Sequence, residues 1–200
     1  RLHASIQKDK PVIWMHCASL GEFEQGRPVL EGLKRSYPGH RILLTFFSPS
    51  GYEVRKNYPG ADYTFYLPPD SASNARKFLD TVSPVMAIFI KYEFWHFYLR
   101  ELKKREVPTL LVSGIFRKDQ PFFRTYGGFW RRMLDAFTHL FVQDAGSMEL
   151  LRKAGLAGKA RISGDTRFDR VLEIASQRGD IPAIRNFCTG HRVIVAGSTW

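Results

Sequence analysis

Carboxylates and hydroxyls recur in this 200-residue sequence where short apolar runs stop. Ser19, Gly21 and Glu22 follow the run at 12–17, Ser48, Ser50 and Gly51 follow 41–46, and Lys91 and Glu93 follow 85–90. A carboxylate at such a position can take the proton of an attacking hydroxyl. Hydroxyls and backbone N–H groups at a strand-to-helix turn can bind an anion. Each motif also has a plainer reading. Ser19-Leu20-Gly21-Glu22 is the Ser-x-x-Glu capping box, Ser48 or Ser50 can be an ordinary N-cap, and Glu93 can be a solvated charge ahead of core aromatics. Pro28 bears on the first choice, because a proline in the third turn of a helix begun at Ser19 costs ~3 kcal/mol. The helix is therefore expected to kink or to start at Pro28, and in the second case Glu22 lies on a loop, free for other work.

The stretch 115–137 interleaves Arg117, Lys118, Arg124, Arg131 and Arg132 with Phe116, Phe122, Phe123, Tyr126, Phe129 and Trp130. That mixture suits an anionic lipid surface or stacked single-stranded nucleic acid, and equally an amphipathic helix with its aromatics in the core. Net charge points the same way: 30 Lys and Arg against 19 acidic residues give +11, so an anionic partner is expected. The six histidines show no ligand spacing, so neither a metal site nor a Ser-His-Asp triad has support, and His16 reads as a structural residue. No GxGxxG or GK[ST] pattern supports a dinucleotide or ATP. Cys17 and Cys188, far apart in sequence, suggest a reducing compartment.

Positioning those groups requires strands and helices in alternation, and the sequence supplies them. Strands are expected at 12–17, 41–46, 63–66, 85–90, 109–112 and 140–142, as nearly continuous apolar runs suited to a sheet covered on both faces. Helical patterns fall at 28–35, 51–57, 72–81, 94–105, 122–137 and 147–154. This is an α/β, Rossmann-like, doubly wound parallel sheet, in which residues just past strand ends share one crevice. Beyond it lie a strand-like "ARIS", the loop "GDTRFD", a helix at 170–177 and a new strand from Arg192. The start without methionine and the end just past that strand read as a fragment, with an N-terminal anchor and a C-terminal domain expected elsewhere. No apolar run reaches the ~18 residues that span a bilayer.

The ordered motifs resemble a family. "HCASLGE" fits an H-x-x-S-x-G-E segment and "TFFSPSG" a T-x-x-(S/T)-P-(S/T)-G segment; "YLPPD", "EFW", "GDTRFD" and "AGSTW" follow in order. Together they are similar to the N-terminal part of the 3-deoxy-D-manno-octulosonic acid (Kdo) transferases. There are departures: Lys91 stands where the family often has Glu, His96 where it has Pro, and Trp200 where it has His.

The resemblance implies a GT-B glycosyltransferase at the cytoplasmic face of the bacterial inner membrane. Its donor would be CMP-Kdo and its acceptor a lipid A precursor, in an inverting transfer without metal or resident cofactor. Residues 1–160 would be the acceptor-binding domain, 161–190 a linker with helices, and 191–200 the start of a nucleotide-sugar domain. It implies Glu22 as general base, and Ser19, Gly21, Ser48, Ser50, Gly51, Glu93 and Arg117 on the acceptor side. Arg167, Ser198 and Thr199 would face the donor. The expected partners are the two substrates and an anionic membrane surface, with no nucleic acid. Another GT-B nucleotide-sugar transferase or epimerase, or a non-enzymatic basic module, remains the alternative.

Overall fold

A computed structural model describes residues 6, 7, 9–176, 179, 181–190 and 192–196 of the chain. Among them, strands β1 (Val12–Cys17), β2 (Arg41–Phe46), β3 (Tyr63–Tyr66), β4 (Pro84–Ile90), β5 (Thr109–Gly114), β6 (His139–Val142) and β7 (Ala160–Ile162) form one sheet. Its order is β3-β2-β1-β4-β5-β6-β7, and every pairing is parallel. Parallel neighbours require crossovers, and these are α1 (Leu20–Ser36), α2 (Pro49–Arg55), α3 (Ala72–Val82), α4 (His96–Lys104), α5 (Gly128–Asp135) and α6 (Ala145–Lys153). The chain winds outward from β1 to β3, then returns to β4 on the other side of β1. The carboxyl ends of β1 and β4 are thus the switch point, where sheets of this kind bind ligands.

Two apolar layers cover the sheet. Trp14, Leu43 and Phe89 face Phe78, Tyr98 and Leu102 on one side. Ile13, Met15, Ile88 and Ile90 face Phe23 and Leu30 of α1 on the other. The all-buried β1 is explained by this two-sided cover.

Several expectations are corrected. Helix α1 neither starts at Pro28 nor leaves Glu22 on a loop: it begins at Leu20 and carries Pro28 in its interior. Burial of Phe23, Gln25, Gly26 and Leu30 holds the first turns helical despite the proline. Gly26 makes the approach possible, since a Cβ there would sit 3.0 Å from Ile90 and 3.1 Å from Met15. The single helix expected over 122–137 is instead a 3₁₀ turn at Pro121–Phe123 followed by α5. Gly127 packs against that turn, where a Cβ would lie 2.2 Å from the Pro121 carbonyl oxygen, so the chain folds back rather than continuing. Further on, α7 (Arg167–Ser176) and α8 (Pro182–Cys188) follow the sheet. The strand expected from Arg192 does not form within 192–196, which are irregular and exposed, with no strand beside them among the described residues.

Candidate active site at the switch point

Glu22 is the third residue of α1, directly past β1. It is half-buried, and its Oε2 accepts a hydrogen bond from the Ser19 backbone N–H at 3.0 Å and another from the Ser19 hydroxyl. The capping box is therefore real. It occupies one carboxylate oxygen, and Oε1 makes no hydrogen bond among the described residues. An anionic side chain in the first turn also complements the helix dipole. Gly21 beside it is exposed, and only the Ser19 hydroxyl, at 3.7 Å, comes near the place a Cβ would take.

Glu93, past β4, is held in a similar way. Its Oε2 accepts from the Trp95 indole N–H and lies 3.3 Å from Nε2 of His16, while Oε1 has no partner among the described residues. His16 is fully buried on β1, next to Thr45 in the β1–β2 register. Its Nδ1 is 2.9 Å from the Thr45 hydroxyl, which also accepts from the Trp14 indole N–H at 2.8 Å.

Backbone and ring contacts join the loops. The carbonyl of Ala18 accepts from the N–H groups of Phe47 and Ser48, at 3.2 and 2.7 Å, and the Phe47 and Trp95 rings stack edge to face at 5.1 Å. Between the two carboxylates, the buried Cys17 thiol is pushed well above the ordinary thiol range, first by burial and then by the charges of Glu22 and Glu93. A thiol so raised stays protonated and is a poor nucleophile. Lys91 and Ser113, at the ends of β4 and β5, both adopt positive φ, +68° and +56°. Such strain in non-glycine residues clusters at ligand sites.

The loop expected over 164–169 is a short turn, 164–166, followed by the start of α7, and it is bonded to β5 and α1. Thr166 is bonded to the buried Ser113 hydroxyl at 2.9 Å, and Asp165 accepts from Gln25 of α1 at 3.1 Å. Burial would raise the Asp165 carboxyl, but hydrogen bonds from the side chain and backbone of Arg167 and from Gln25 overcome it and bring it to about 2. The Arg167 guanidinium is thereby committed to Asp165, though still largely exposed.

The other expected residues sort themselves by position. Ser48 caps α2, accepting from Ser50 N–H at 3.3 Å through its hydroxyl and from Gly51 and Tyr52 N–H through its carbonyl, so those donors are already used. Gly51 is a packing requirement, because a Cβ would fall 2.2 Å from the Phe46 ring. Arg117 is exposed, in the loop after β5, and makes no ion pair among the described residues. Ser198 and Thr199 lie outside the described residues. His16, expected as a purely structural residue, lies against Glu93, and Thr45, Trp14 and Gln25 carried no expectation of a site role. Nor did Asp70 of "YLPPD", whose carboxylate caps α4 by accepting from Phe97 N–H at 3.1 Å. A polar residue inside an otherwise apolar strand, as with His16 and Thr45, was the available signal. Among the described residues, no three His, Cys, Asp or Glu side chains are grouped as a metal site would need.

Comparison with known proteins bears on family and fold. The sequence profile of the family described as 3-deoxy-D-manno-octulosonic-acid transferase (kdotransferase) matches residues 1–170. An Aquifex aeolicus protein named 3-deoxy-D-manno-octulosonic acid transferase is 36% identical over 111 residues, 55% of this chain and 30% of that protein. One of the same name from Rickettsia felis is 24% identical across 95% of this chain and 41% of its own length. The chain thus spans less than half the length of these relatives. In three dimensions it is similar to the UDP-GlcNAc 2-epimerase of Methanocaldococcus jannaschii, with a TM-score of 0.59 and 17% identity over 89% of this chain and 52% of that one. A putative UDP-N-acetylglucosamine 2-epimerase from Listeria monocytogenes gives 0.65 at 10% identity, over 90% of this chain and 51% of that one. These likenesses show the fold. With 170 of its residues matched in order, the chain belongs to the 3-deoxy-D-manno-octulosonic-acid transferase family.

Proposed function

We propose that this chain is the acceptor-binding part of a GT-B glycosyltransferase that moves Kdo from CMP-Kdo to a lipid A precursor, inverting and without metal. Family membership supports the reaction class. The observation that carries the site is Glu22: a carboxylate at the switch point, anchored through one oxygen and open at the other. In the transfer, an acceptor hydroxyl gives its proton to Glu22 Oε1 as its oxygen attacks the anomeric carbon. The bond to CMP breaks with its electron pair on the leaving phosphate, and the new bond forms on the opposite face. Glu93 binds acceptor hydroxyls through its open oxygen. Arg167, Ser198 and Thr199 serve the donor, where cationic and N–H groups stabilise the departing charge. A C-terminal nucleotide-sugar domain beginning near residue 191 completes the cleft. Full-length protein given CMP-Kdo, UDP-GlcNAc and other nucleotide sugars should consume only CMP-Kdo in the presence of the lipid acceptor. Turnover of UDP-GlcNAc alone would establish the epimerase alternative instead.

The membrane partner is a surface of anionic lipid at the cytoplasmic face of the inner membrane. Among the described residues no helix is long and apolar enough to cross a membrane. A groove of about 480 Å³ between α4 and α5 is lined by Leu99, Phe129 and Met133, by Arg100, Lys103 and Arg132, and by Asp135. Aromatic and cationic groups together suit a headgroup interface. Binding to phosphatidylglycerol vesicles should fall in a Phe129→Ala/Arg132→Ala protein; unchanged binding would remove this face from the account.

A further inference from the structure

We propose that His16 is a positioning residue: its Nε2–H holds the Glu93 carboxylate at the mouth of the crevice, and Thr45 and Trp14 fix the ring from behind. The inference rests on the function proposed above, in which Glu93 binds the acceptor. It starts from an imbalance in the buried layer. His16 has no exposed surface, so it cannot itself reach a substrate. Its Nε2 is buried and makes no well-aligned hydrogen bond, yet Glu93 Oε2 stands 3.3 Å away. A buried polar nitrogen left without a partner is costly, and native structures keep few of them.

Hydrogen-bond chemistry decides which nitrogen carries the proton. The Trp14 indole can only donate, so the Thr45 oxygen accepts from it and keeps one proton to give. If His16 Nδ1 carried the ring proton, Nε2 would turn a bare lone pair toward a carboxylate. With the Thr45 hydroxyl donating to Nδ1 at 2.9 Å, Nε2 bears the proton and faces Glu93 with the right sign. The ring has little room to turn: Trp95 packs on it edge to face at 5.0 Å and Phe89 at 5.9 Å. Trp95 also donates to the same Glu93 oxygen. Two donors therefore converge on Oε2 from the core, and Oε1 is the oxygen left for an acceptor hydroxyl.

The role is separable from simple packing. In full-length protein, His16→Phe keeps an aromatic ring and removes the donor, while His16→Gln restores an N–H. His16→Phe should raise the acceptor KM about tenfold, as expected for losing a charge-assisted hydrogen bond, with the CMP-Kdo KM unchanged and His16→Gln close to wild type. In a Glu93→Gln background, His16→Phe should add little, because the group it positions is already altered. Independently of turnover, the Nε2-protonated imidazole signal of His16 in ¹⁵N spectra should move on Glu93→Gln. Additive kinetic effects, an unchanged acceptor KM in a folded His16→Phe protein, or an unmoved imidazole signal would each overturn the proposal. Failure of the wild-type protein to transfer Kdo would defeat the proposed function instead, and the ¹⁵N spectra would still decide whether His16 holds Glu93.

Discussion

Glu22 caps a helix through one carboxylate oxygen and, in the function proposed above, takes a proton through the other. Its Oε2 satisfies the N-terminus of α1 through Ser19, which fixes the carboxylate in space, and the unbonded Oε1 is then presented in a defined place. The Ser-x-x-Glu pattern was readable as a cap, and its position past a strand end was readable as a site, but the pattern could not show that the cap uses only one of the two oxygens. His16 was not legible at all as part of the site. Its importance comes from Thr45, 29 residues away on the neighbouring strand, and from Glu93 past a third strand. Asp165 gives a pH-dependent consequence at the same scale. Its folded value of about 2 lies below the ordinary 3.8, so its stabilisation is present above pH 3.8 and is lost as pH falls toward 2. Because Arg167 is largely exposed, the contribution is discounted to about 1–2 kcal/mol at pH 7. Chemical denaturation of Asp165→Asn should show that loss at pH 7 and a flatter stability profile between pH 4 and pH 2; an unchanged profile would assign the acid dependence to other groups.

At the scale of elements, the strands were legible because a two-sided core demands continuous apolar runs, and six expected strands form where the pattern put them. The helices were less so. Pro28 argued for a break that tertiary packing overrides, since Phe23 and Leu30 bury on the sheet from either side of it. The break that does occur, at Gly127, depends on contact with the preceding 3₁₀ turn and left no local signature beyond paired glycines. At Gly26, α1 packs tightly on Met15 of β1 and Ile90 of β4. Gly26→Ala should destabilise the fold by about 1–3 kcal/mol, the usual range for overpacking, despite alanine's better helix propensity. A stability gain, measured by thermal or urea unfolding, would mean that α1 is not packed as described.

For the whole molecule, the sheet order places Glu22 and Glu93 just past the carboxyl ends of the neighbouring strands β1 and β4, and the turn 164–166 is tied to α1 through Asp165 and Gln25. Beyond it, α7 and α8 expose Phe168, Leu172, Ile184 and Phe187, an uncovered apolar surface of the kind that marks an interface. In the function proposed above, the C-terminal nucleotide-sugar domain covers these side chains. The donor side was the least legible part, because its expected residues Ser198 and Thr199 lie outside the described residues. The most direct test is single-turnover transfer of Kdo from CMP-Kdo to a lipid A precursor by the full-length protein carrying Glu22→Gln, which retains the reach back to Ser19 and removes the base. Transfer should fall by about 10²–10⁴-fold, the range for losing a general base, with CMP-Kdo affinity and melting temperature close to wild type. A wild-type rate in that variant would contradict the account.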